Sequence, residues 1–102
     1  MSTPVFKIYI AGHNSRNREL IATLKEVCTE LFLSNHQIQV IDILKSPKEA
    51  EKQKVLATPM IVRVVPAPEK RIIGDFREAG KATQAINFLT EDINIIKRNA
   101  EK

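Results

Sequence analysis

A chain of 102 residues allows one domain with one hydrophobic core, so residues 1–102 are read as a single unit. With 43% hydrophobic and 27% charged residues, and no apolar run near membrane-span length, the composition is that of a soluble globular protein. The net charge of +4 is interspersed along the chain and aromatic residues are few, which argues against a nucleic-acid surface.

Val5-Phe6-Lys7-Ile8-Tyr9-Ile10-Ala11 is rich in β-formers and partly alternates, predicting a first strand. Gly12-His13 breaks it, and Asn14 or Ser15 can cap a helix. Leu20, Ile21, Leu24, Val27, Cys28, Leu31 and Phe32 then recur at helical spacing and predict a long amphipathic helix. Ser34-Asn35-His36 ends it, and Gln37 to Leu44 is the second strand. Two strands joined by a helix make a parallel pair with a right-handed crossover. Ser46-Pro47-Lys48-Glu49 has the pattern of a capping box with proline at the first helical position, predicting a short helix from Pro47 to about Lys54.

Thr58-Pro59 stands in front of a strand, Met60 to Val65. Proline cannot donate to a ladder and therefore belongs at a strand entrance, and a Thr58-Pro59 bond in a tight turn is a candidate for the cis form. Pro66-Ala67-Pro68-Glu69 is a stiff turn, and Lys70 to Ile73 returns antiparallel. After Gly74, Asp75-Phe76-Arg77-Glu78 offers a second capping box. Ala82, Ala85, Ile86, Leu89, Ile93 and Ile96 predict one C-terminal helix to about Lys97, followed by a polar tail, Arg98 to Lys102. The order is βαβαββα, an α/β four-stranded mixed sheet with helices on both faces. This is a thioredoxin-like arrangement.

The redox chemistry of such a fold needs a cysteine at the N-terminus of the first helix, where the dipole lowers the thiol pKa. Here that loop is Gly12-His13-Asn14-Ser15-Arg16-Asn17, without sulfur. Cys28, the one cysteine, lies on the apolar stripe and reads as a small buried hydrophobe; a redox enzyme or sensor working through it is the alternative reading. A single cysteine excludes an internal disulfide, and Met1 to Pro4 shows no secretory leader, so a cytoplasmic location is expected. His13 and His36 have no second ligand at metal spacing, and Asp42 reads as a polar residue on a solvated or capped strand edge. No catalytic residue, metal site or cofactor is expected.

Four short segments carry a resemblance: Ile8-Tyr9-Ile10-Ala11-Gly12, Val40-Ile41-Asp42-Ile43-Leu44-Lys45, Leu56-Ala57-Thr58-Pro59 and Arg71-Ile72-Ile73-Gly74-Asp75. In this order and spacing, from Phe6 to Leu89, the chain resembles the KaiB family of circadian clock proteins. The resemblance implies a non-enzymatic clock or stress regulator that binds a KaiC-like ATPase ring, with KaiA or a clock-associated histidine kinase as further partners. It also implies a metamorphic protein: a thioredoxin-like monomer that binds the partner, and a homotetramer in a βαββααβ fold. Lys45, Lys54, Arg71 and Asp75 match family positions, and Arg63 replaces a usual Lys; all five are candidate partner-binding residues. Thr58, Pro59, Ala85 and Asn87 are candidates for the fold switch and its proline.

The sequence departs from the family pattern at Glu19, a usual Arg, at Phe76-Arg77-Glu78-Ala79-Gly80, at Ala85, a usual Gly, and at Asn87, a usual Asp. These departures point to a divergent paralogue. Alanine instead of glycine in mid-helix favours helix by about 1 kcal/mol, so the expected resting state is the thioredoxin-like monomer.

Overall fold

The structure is a computed structural model in which residues 3–93 are described. The elements are β1 (Val5–Ile10), α1 (Ser15–Phe32), β2 (Gln37–Asp42), α2 (Pro47–Lys52), β3 (Met60–Val65), β4 (Lys70–Ile73) and α3 (Ala79–Thr90). The strands form one sheet in the order β2-β1-β3-β4; β1 and β2 are parallel and the other two pairings antiparallel. This is the mixed α/β arrangement that the hydrophobic pattern predicts. The bonds preceding Pro59, Pro66 and Pro68 are cis.

Strand alternation divides the core in two. Phe6, Ile8, Ile10 and Ile61 face one side, where α1 contributes Leu20, Leu24, Val27, Cys28 and Phe32, and α3 contributes Ala82, Ala85, Ile86 and Leu89. Tyr9, Met60 and Val62 face the other side and meet Ile41, Ile43, Val55 and Val64. The short helix α2 lies on this second face, tied by a Lys7–Glu49 ion pair at 3.6 Å, yet buries no residue of its own.

Local chemistry explains where the helices begin and end. Asn14 caps α1 by accepting a 2.8 Å hydrogen bond from the Asn17 amide. Neither expected capping box forms. The Ser46 backbone (φ −128°, ψ 62°) departs from extended cap geometry, and its hydroxyl makes no cap bond. Helix α3 starts only after Glu78, whose side chain makes no cap bond, and Asp75, the expected cap, turns its carboxylate onto the Arg77 amide and guanidinium.

The C-terminal helix is shorter than its apolar spacing suggests: α3 ends at Thr90, and Ile93 lies beyond it in a bend. Side chains take the carbonyls of the last turn. Lys70 Nζ donates to Phe88 O at 2.9 Å, and Arg63 Nη1 donates to Leu89 O at 2.8 Å. Ile96, Lys97 and the polar tail lie outside the described residues.

Arg63 requires a correction, because it is not an exposed docking charge but is fully buried. Alternation along β3 places it on the same side as Ile61, opposite Phe6 on β1 and beneath the end of α3. Its guanidinium binds the Leu89 and Pro68 carbonyls and both Asp92 oxygens, which anchors the end of α3 to β3.

Candidate functional site

The chain connections converge where β1, β2 and β4 end and β3 begins. Asp42 joins two of them: its Oδ1 accepts from the Gly12 and Leu44 amides, both at 2.9 Å. Burial pushes the Asp42 pKa up, but the Leu44 and Gly12 amides, with His13 and Lys45 nearby, outweigh it and hold the carboxyl below its usual value. Gly12 (φ 88°) fits this junction because it has no side chain; a Cβ there would sit 3.2 Å from Leu44 Cδ1. Asp42 is a structural latch.

One group of candidate residues surrounds α2. Lys45 follows β2 and Lys54 follows α2; both are exposed, and neither ammonium makes an ion pair among the described residues. Lys54 adopts a left-handed backbone (φ 55°). Arg71 reaches across from β4 and donates to Gln53 O at 2.9 Å and Lys54 O at 3.5 Å, and it also pairs with Glu69. It therefore satisfies carbonyls at the end of α2 and fixes the backbone beside Lys54. Two leucines share these connections, Leu44 at 68% and Leu56 at 92% exposure. Apolar residues next to a strand and a helix read as core extensions in sequence; their exposure is visible only once the chain is folded.

A second group lines a cleft of ≈ 270 Å³ between the N-terminus of α1, the Thr58-Pro59 turn and the β4–α3 loop. Thr58, Pro59 and Asp75 meet there with Arg16 and Arg77, which the sequence did not single out. The side chain and amide of Arg77 hold the Asp75 carboxyl down at about 2. No thiol lies at this helix end. Cys28 is buried in the core, and burial pushes its pKa up to about 12, so it belongs to packing. Ala85 and Asn87 stand apart from both groups on α3, Ala85 buried and Asn87 exposed.

The fold and site define a thioredoxin-like protein whose first helix begins without a cysteine. Solved structures share this fold. The N-terminal domain of Synechococcus elongatus SasA superposes with a TM-score of 0.70 at 15% identity, covering 94% of this chain and 91% of that one. Chloroplastic thioredoxin z gives 0.65 at 18% identity, covering 88% and 80%. The KaiB domain model matches residues 7–88, and the chain belongs to the KaiB family. It is 37% identical over 92 residues to the circadian clock oscillator protein KaiB of Trichodesmium erythraeum, covering 90% of this chain and 88% of the relative. It is 38% identical over 91 residues to that of Microcystis aeruginosa, covering 89% and 88%.

Proposed function

We propose that this protein is a non-enzymatic, cytoplasmic clock or stress regulator that docks on the ring of a KaiC-type ATPase in its thioredoxin-like state. The observation that carries this reading is the family match over residues 7–88 in a chain folded like the SasA domain. The surface around α2 is suited to docking. Lys45 and Lys54 offer positive charge that makes no ion pair among the described residues, and Leu44 and Leu56 offer apolar area for desolvation. Arg71 serves as a positioning residue for that surface, and buried Arg63 takes no part in docking. KaiA or a clock-associated histidine kinase are further partners in the same reading, and a homotetramer is its alternative state.

The test is association kinetics with a purified KaiC-type ring, with and without ATP. Lys45→Glu combined with Lys54→Glu should slow association and remove much of its salt dependence, while dissociation changes less. Unchanged association of the double variant would remove this surface. A native protein that sediments as a stable tetramer at micromolar concentration would overturn the monomeric resting state.

A further inference from the structure

The segment that covers the thin face of the sheet owes little to hydrophobic burial. Helix α2 has no buried residue, and of residues 46–56 Val55 alone packs an apolar side chain on Tyr9, Met60 and Val62. Those three core residues are nevertheless almost fully shielded from water. What holds the segment over them is polar. Glu49 pairs with Lys7 at 3.6 Å and lies beside the Tyr9 hydroxyl, and Arg71 donates to Gln53 O at 2.9 Å and Lys54 O at 3.5 Å. The Lys7, Glu49 and Arg71 side chains all remain partly exposed, where such ties are weak.

Backbone strain opposes the closed position. Lys54 ends the helix in the left-handed region (φ 55°), which is costly for a residue with a Cβ. Both ends of the segment are fixed, however. The Lys45 and Ser46 amides donate to Asp42 O at 3.0 and 2.9 Å, and Pro59 O accepts from the Gly74 amide at 3.4 Å. A stretch with weak ties, local strain and anchored ends can open without breaking the strand ladder. We propose that residues 46–56 form a lid that opens as a unit while the sheet, α1 and α3 stay folded, uncovering Tyr9 and Met60. Arg71 and Lys7 set its open population. β4 and α3 keep their places, so this is a local motion within one fold and not an exchange of folds. Lys54 and Leu56 travel with the lid, so the docking surface is complete only when it is closed. That consequence rests on the docking reading, whereas the lid itself is a property of the free chain.

The experiment is native-state hydrogen exchange of the full chain at rising urea concentration, read by NMR. The Gln53 and Val55 amides, bonded to Glu49 O and Ala50 O at 2.9 Å, should exchange about tenfold or more faster than the β1 and β3 ladder amides, with little response to low urea. Arg71→Gln should speed both by about fivefold and leave the β1 amides unchanged, and Lys7→Gln should do so by about twofold. A second readout is sulfoxide formation at Met60 with hydrogen peroxide. In Lys7→Gln it should quicken by the same factor as Val55 exchange, because one opening governs both, while Cys28 on the other face stays closed to iodoacetamide. Three results would each overturn the lid: α2 amides that exchange with the rate and urea response of β1, variants that speed sheet and helix amides alike, or Met60 oxidation that follows global unfolding. None of them bears on ring docking, which the association kinetics test separately.

Discussion

The two faces of the sheet are built very differently. On one face, two helices press a continuous apolar layer against β1 and β3, and the C-terminal end of α3 is anchored by buried Arg63. On the other, Tyr9, Met60 and Val62 are covered by partly buried side chains and by a six-residue helix that buries nothing itself. Hydrophobic stabilisation scales with apolar area removed from water, so most of it resides on the helix-covered face. The thin face and its loops contribute less, and they carry Lys45, Lys54, Leu44 and Leu56, all exposed. Surface there can change with little loss of fold.

The largest contrast is in reactivity. With its thiol pKa at about 12, Cys28 has only about one thiolate in ten thousand at pH 8, so iodoacetamide should leave the folded protein almost untouched and label it after denaturation. Rapid labelling of the native chain would expose the helix-covered core and revive the redox alternative. In stability, Leu24→Ala should cost about 2–5 kcal/mol by urea denaturation. Leu56→Ala, at 92% exposure, should stay within about 0.5 kcal/mol. Comparable losses at the two sites would erase the distinction between the faces.

Ala85→Gly tests the buried side of α3 more gently. Lost helix propensity alone should lower stability by about 1 kcal/mol. In a chain with a competing tetrameric fold, the same change should raise the tetramer fraction seen by sedimentation velocity. The smallest effect concerns acid. Hydrogen bonding by Arg63 holds the Asp92 pKa below its ordinary value against opposing desolvation, and Asp42 is likewise lowered. A carboxylate with a depressed folded pKa stabilises the fold above its unfolded value of about 4, and that stability is lost as pH falls toward the folded pKa. Asp92→Asn should therefore reduce stability at neutral pH and flatten its decline below about pH 4. An unchanged acid limb would show that the anchor at the end of α3 contributes little.

Much of the architecture was legible before folding, because strand alternation and helical spacing are local signals. The boundaries of β3 and β4 follow from Thr58-Pro59 and Pro66 to Glu69, and α1 follows from its apolar stripe and Asn14 cap. Cys28 was legible for the same reason: its position on the stripe implies burial. The roles of charged residues were not local. Arg63 reads as another exposed cation in Met60-Ile61-Val62-Arg63, and only the fold supplies what makes its burial tolerable: Asp92, 29 residues on, and the Leu89 and Pro68 carbonyls. Arg71 reads in sequence as a contact residue, and only the fold shows that β4 also brings it to the Gln53 and Lys54 carbonyls.

By itself, then, the sequence determined the family, the order of elements and the missing thiol at the first helix, since each depends on residue type and spacing along the chain. Tertiary structure decided which charges stay exposed and which hold the fold together. It also brought Arg16, Thr58 and Ile73 to one cleft. Those outcomes depend on long-range pairing of polar groups, which no short stretch of sequence encodes.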